Sequence, residues 1–170
     1  DMSGFTTLTR SATEAELGEV LEAFESLTTE GVGAHSGQII KTIGDEVLFM
    51  ADTPAVCALL ALELIDRAEE TDGVPPLRIG LAAGPVVTRL GDVYGSTVNV
   101  ASRLTTLSRP GWILVDRGMA DALEQDERFA LRSHRPESVR GFHHLRQWRL
   151  LAAGEQAPAA RRRSHGHRSR

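Results

Sequence analysis

Residues 37–52, "GQIIKTIGDEVLFMAD", decide how this 170-residue chain folds. Two runs rich in Ile, Val, Leu and Phe flank Gly44-Asp45. That dipeptide favours a tight reversal, because glycine accepts positive φ and an aspartate can satisfy turn amides. The stretch therefore predicts a β-hairpin. It also contains Lys41, the single lysine among nineteen Lys and Arg residues, which raises the question of why this position carries an ammonium where every other basic side chain is a guanidinium.

Helices are predicted on both sides of the hairpin. Thr13 and Glu16 stand at capping-box spacing, and Leu17, Val20, Leu21, Phe24 and Leu27 repeat at helical spacing, giving an amphipathic helix over residues 13–29. Downstream, Thr53 as N-cap, Pro54 at the first helical position and Gly73 beyond the end bracket a second helix packed by Leu59, Leu60 and Ile65. "PPLRIGLAAGPVVTRLGDVYG" reads as a strand, a glycine-proline break and a second extended piece. "STVNVASRLTTLSRPG" reads as a third helix, stopped by Pro110 and Gly111. "WILV" is a short buried strand, residues 117–124 a short helix, and "FALRS" and "HHLRQWRLL" two final strands. The order implies an α+β fold with helices over an antiparallel sheet.

Composition narrows the class. With 41% hydrophobic and 25% charged residues, the chain suits one globular domain. Its longest apolar run, "AVCALLALELI", is far short of the ~20 residues a bilayer span requires and contains Glu63. No secretory leader is evident and the one cysteine, Cys57, has no partner for an internal disulfide, so a cytoplasmic location is expected. The whole chain carries a net −4, but residues 152–170 carry +4 with few apolar side chains. That stretch is expected to be a disordered basic tail following a folded domain of residues 1–151. A nucleic-acid or anionic-membrane arm is the alternative reading of the tail; no nucleic-acid partner and no membrane segment are expected.

Three places carry chemistry. Asp45 sits in the hairpin turn and Asp1 leads "DMSGFT". Either aspartate could simply satisfy loop amides, but two carboxylates from separate segments are what a Mg²⁺ site takes when water and phosphate supply the remaining oxygens. Asn99 and Arg103 are four apart on the third helix and share a face. Such a pair is often only solvated. Here the neighbouring Val98, Val100 and Ala101 predict a mostly buried helix whose polar face meets a partner surface or an anionic ligand. His143-His144 lacks zinc spacing and reads as an exposed pair, while Cys57, Trp112 and Trp148 read as packing residues.

Taken in order, "DMSGFT", "KTIGDEV" and "DVYGSTVNVASRL" resemble the signature segments of class III nucleotidyl cyclases, the adenylyl and guanylyl cyclase catalytic domains, from residue 1 to about 150. The likeness is strongest to bacterial homodimeric adenylyl cyclases. It implies a ferredoxin-like antiparallel sheet with helices packed on it. It implies that Asp1 and Asp45 hold two divalent ions, Mg²⁺ or Mn²⁺, and that Lys41 and Asp92 read adenine, where guanylyl cyclases carry Glu and Cys. Asn99 and Arg103 would then stabilise the transition state, and Arg140 in "SVRGFHHL" would contact the triphosphate. The implied reaction converts ATP to 3′,5′-cyclic AMP and pyrophosphate in a homodimer with interfacial sites. A guanylyl cyclase and a non-catalytic, cyclase-like nucleotide-binding or dimerisation module are the alternatives. The family also has a short hydrophobic strand leading into the first aspartate, so a longer protein with an upstream regulatory domain is expected.

Overall fold

In the computed structural model, which describes residues 1–139 and 142–155, the expected hairpin is present as β1 (Gln38–Ile43) and β2 (Glu46–Met50), with Ile43 opposite Glu46. That register leaves Gly44 and Asp45 as a two-residue turn. Gly44 takes φ 59°, in the left-handed region that costs other residues about 1–2 kcal/mol. The pairing slips between Ile39 and Lys41. A bulge of this kind bends a strand and re-aims the side chains beside it, and here it adjoins Lys41.

A helix of about two turns, absent from the sequence reading, α1 (Phe5–Ser11), precedes α2 (Glu14–Ala34). The capping box of α2 is formed: Thr13 Oγ1 accepts from the Glu16 amide and the Glu16 carboxylate accepts from the Thr13 amide. α2 runs past the expected end at residue 29 through two glycines. Gly31 lets α2 lie close to α3 (Pro54–Glu70), where an added Cβ would come within 2.7 Å of Leu64 Cδ2. Thr53 caps α3 through the Val56 amide, with Pro54 in its first turn, as the sequence predicts.

Beyond α3 come β3 (Arg78–Leu81), β4 (Val87–Arg89), β5 (Asp92–Tyr94), α4 (Ser96–Leu107), β6 (Trp112–Val115), α5 (Arg117–Leu123), β7 (Phe129–Val139) and β8 (Phe142–Ala152). The expected second extended piece is thus a small hairpin, β4–β5, reversing at Leu90-Gly91. The main sheet has the order β3-β6-β8-β7, antiparallel except for the β3–β6 pair. Ile79, Leu81, Ile113, Val115 and Leu150 turn one face of this sheet toward Phe24, Leu60 and Leu64 of α2 and α3, forming the main core. Side chains alternate along a strand, so Gly80 faces the other way. There it meets α4. The sequence predicted α4 to be mostly buried; only Leu104 is, and Val98, Val100 and Ala101 remain half-exposed.

The free edges of β2 and β3 both open onto a cleft of about 480 Å³, which Asp1, Lys41, Arg78 and Asn99 also border. Its walls include Val47, Phe49, Leu77 and Ile79, the chemistry of a sheet interior rather than of a phosphate site. Among the described residues, no helix is long and apolar enough to cross a membrane.

Candidate active site

Backbone hydrogen bonds bring the two predicted metal aspartates together. The Met2 amide donates to the Asp45 carbonyl at 3.0 Å, and the Arg78 amide donates to the Asp1 carbonyl at 2.8 Å. Met2 is fully buried and anchors this junction in the core. Asp1 therefore sits between the β1–β2 turn and the start of β3. Both aspartates are half-buried.

The Asp1 carboxylate is ion-paired with Arg78, a residue the sequence reading passed over. The Arg78 Nε is buried and finds no acceptor among the described residues. A guanidinium so placed neutralises part of the local negative charge. The signal in the sequence is slight: one arginine opening the otherwise apolar strand "RIGL". No cluster of three or more His, Cys, Asp or Glu side chains able to hold a metal occurs among the described residues. Two carboxylates alone match a Mg²⁺ or Mn²⁺ site that draws its other ligands from water and phosphate.

Lys41 and Asp92 are 51 positions apart and meet. The Lys41 ammonium donates to both Asp92 carboxylate oxygens, at 2.9 and 2.7 Å, linking β1 to β5. The Asp92 carboxylate also accepts from the Val93 amide at 2.8 Å. The Lys41 bond first, then that amide, hold Asp92 below its ordinary carboxylate range. The pair is partly open to solvent, with the side chains 40% and 29% exposed, so a ligand can reach it. An ammonium has three N–H donors; with two on Asp92, one remains.

Asn99 and Arg103 project from α4, Asn99 exposed and Arg103 half-buried. Arg103 makes no ion pair with any described residue. Arg140 lies outside the described residues, as do residues 156–170 of the basic tail. Around Lys41 and Asp92 the surface is apolar: Ile43, Val87, Leu90 and Tyr94 are 60%, 64%, 96% and 53% exposed. Leu90 is nearly fully exposed and adopts φ 53°, unfavourable on both counts for an isolated chain.

Residues 1–152 match the family model for the adenylate and guanylate cyclase catalytic domain. The chain belongs to that family. It is 47% identical over 123 residues to an adenylate cyclase of Streptomyces coelicolor, covering 72% of this chain and 32% of the relative. With an adenylate cyclase of Glutamicibacter nicotianae it shares 39% over 157 residues, 92% of this chain and 39% of the relative. This cyclase domain thus spans about a third of the length of the curated relatives it matches. Its fold is that of the crystallised catalytic core of a rhodopsin-guanylyl cyclase with converted specificity, solved with ATPαS. The two superpose with a TM-score of 0.82 at 22% identity, over 89% of this chain and 91% of the other.

Proposed function

We propose that this domain is an adenylyl cyclase, converting ATP to 3′,5′-cyclic AMP and pyrophosphate at two equivalent sites between the chains of a homodimer. The observation that carries this reading is the Lys41–Asp92 pair. It places a donor and an acceptor side by side, partly open to solvent, as adenine's N1 acceptor and exocyclic amine donor require. Guanine presents the reverse pattern there. A lysine suits this task because it is a compact, rotatable point donor, whereas an arginine fork would engage the carboxylate differently. The adenylate cyclase relatives at 39–47% identity support the same activity.

In this reading Asp1 and Asp45 hold Mg²⁺ or Mn²⁺, which when bound would lower the pKa of the ribose 3′-hydroxyl and neutralise the triphosphate. The 3′-oxygen forms a bond to the α-phosphorus as the bond to the β-phosphate bridging oxygen breaks; pyrophosphate leaves and the hydroxyl proton passes to solvent. Asn99 orients the ribose, and Arg103, free of ion pairs among the described residues, stabilises charge on the α-phosphate. Such an arginine contributes on the order of a hundredfold or more in rate. Arg78, held on Asp1, adds positive charge on the triphosphate side.

A homodimer is supported by the exposed apolar side chains of β1, β4 and β5, which a second copy would cover. The aspartates of one chain then face Lys41, Asp92, Asn99 and Arg103 of the other. Co-expressing Asp45→Ala chains with Arg103→Ala chains tests this directly. Each homodimer is expected to be inactive, while the mixed dimer regains one intact site and makes cyclic AMP. No recovery in purified mixed dimers would refute the interfacial arrangement.

A further inference from the structure

We infer that Gly80 is a positioning residue for α4, fixing Asn99 and Arg103 by direct backbone contact; this rests on the reading of those two residues given above. A Cβ at position 80 would lie 2.3 Å from the Thr105 amide nitrogen, 2.4 Å from the Ala101 carbonyl oxygen and 2.8 Å from the Leu104 carbonyl carbon. All three are backbone atoms of α4, so no side-chain rotation relieves the overlap. The helix thus sits on β3 with nothing between the two main chains. Gly80 takes no positive φ, so close approach, not turn geometry, is what requires glycine here.

Four residues on, Gly84 lies against the Thr97 side chain at the other end of the helix. Its Cβ would lie 2.7 Å from Thr97 Oγ1, and that hydroxyl donates to the Pro85 carbonyl at 2.8 Å. Between these two seats lies Asn99, and Arg103 lies between Ala101 and Thr105, whose backbone touches Gly80. The only fully buried side chain of α4 is Leu104. A helix with one buried side chain and a half-open flank is placed largely by its backbone seat.

An added methyl needs about 3.5 Å of clearance, so Gly80→Ala must push α4 outward by roughly 1 Å, a displacement that costs about a hundredfold in rate when it misplaces reacting groups. Gly80 and α4 belong to the same chain. Arg78, two residues earlier on β3, serves Asp1 and therefore the other site of the dimer. The substitution is expected to damage the Asn99/Arg103 half-site and leave the aspartate half-site intact.

Complementation separates these halves in a way that general destabilisation would not. Full domains carrying Gly80→Ala are co-expressed with Asp45→Ala or with Arg103→Ala chains, and mixed dimers are isolated by two affinity tags. With Asp45→Ala, one site combines sound aspartates with a sound α4, and activity is expected to match the Asp45→Ala/Arg103→Ala mixed dimer. With Arg103→Ala, every site has a faulty α4, and no recovery is expected. Alone, Gly80→Ala should lower kcat about a hundredfold with KM for ATP changed less than about threefold. Near-wild-type kcat, or rescue by Arg103→Ala but not by Asp45→Ala, would overturn the inference. Should Gly80→Ala chains fail to fold, Gly84→Ala enters the same crosses; its methyl meets only the Thr97 side chain, which can turn aside, so the same pattern of rescue is expected with a smaller loss, about tenfold or less, and rescue by Arg103→Ala but not by Asp45→Ala would again overturn the inference. Failure of Asp45→Ala and Arg103→Ala to complement each other would refute the interfacial reading instead, and Gly80 would then stand or fall on the kcat of its own variant.

Discussion

If Lys41 and Asp92 read the base as one unit, substitutions at the two positions must be coupled. Both carboxylate oxygens of Asp92 accept from the Lys41 ammonium, so Asp92→Asn removes the charge that aims Lys41 and leaves a single amide oxygen where the ammonium and the adenine amine each need an acceptor. Lys41→Met removes the donor and leaves Asp92 held only by the Val93 amide. Each single change should lower kcat/KM for ATP by about ten- to a hundredfold, the size of one charge-assisted hydrogen bond. Independent residues would multiply these losses to about a hundred- to ten-thousandfold in the double variant. Coupled ones do not multiply, so Lys41→Met/Asp92→Asn should fall within about tenfold of the worse single variant. Initial rates of cyclic AMP formation, measured by chromatography across a range of ATP concentrations at saturating Mn²⁺, give the four values needed. Fold and dimerisation should hold throughout, because a solvent-accessible pair contributes little to stability. Multiplicative losses, or a wild-type rate in either single variant, would refute the reasoning.

Other consequences follow from the same geometry. Arg78→Met should cut kcat by about a hundredfold through lost charge stabilisation without raising the Mn²⁺ needed for half-maximal rate; wild-type turnover would remove Arg78 from the site. Leu104→Ala, at a fully buried position, should cost about 2–5 kcal/mol in urea unfolding followed by circular dichroism, and a loss below about 1 kcal/mol would mean that Leu104 does not anchor α4. Because the folded-state pKa of Asp92 is depressed, its bond to Lys41 contributes stability above the ordinary value of 3.8 and loses it only as pH falls through the lower folded value. A carboxyl NMR titration should accordingly place the Asp92 midpoint below 3.8; a midpoint above it would show that the pair does not form in solution. Burial pushes the Cys57 thiol up to about 12, while its half-buried side chain borders the cleft, so a thiol reagent at neutral pH should modify the native protein much more slowly than the unfolded chain, and equal rates would contradict its packing.

Local signals in the sequence located most elements. Thr13 with Glu16, Thr53 with Pro54, and Gly44-Asp45 each specify an element boundary through hydrogen bonds or dihedral limits that neighbouring residues satisfy, and each is formed. What stayed hidden depends on tertiary context. α1 has no buried residue, so its threonine-rich sequence carries no apolar period. The extension of α2 through Gly31 is intelligible only once α3 lies against it. The β4–β5 reversal places a leucine, not an asparagine or glycine, at positive φ beside Gly91, which masks the turn. α4 misled in the opposite direction, since small apolar residues suggested burial where the chain leaves an open flank.

The candidate site was readable from the sequence as a set of residue types, while which of them meet was not. That Lys41 and Asp92 touch requires β1 and β5 to be neighbours, and that Asp1 pairs with Arg78 requires the first residues to lie along β3. Neither follows from spacing. Gly80 is the plainest case, because a glycine within an apolar strand has no local signature of the helix backbone it admits.

The most direct test of the account offers ATP and GTP separately, with Mn²⁺, to the domain and to its Asp45→Ala variant, and identifies the product by chromatography. The account predicts 3′,5′-cyclic AMP from ATP, little product from GTP, and none from either nucleotide in the variant. Equal or greater turnover of GTP, or cyclic AMP formation that survives the loss of Asp45, would contradict it.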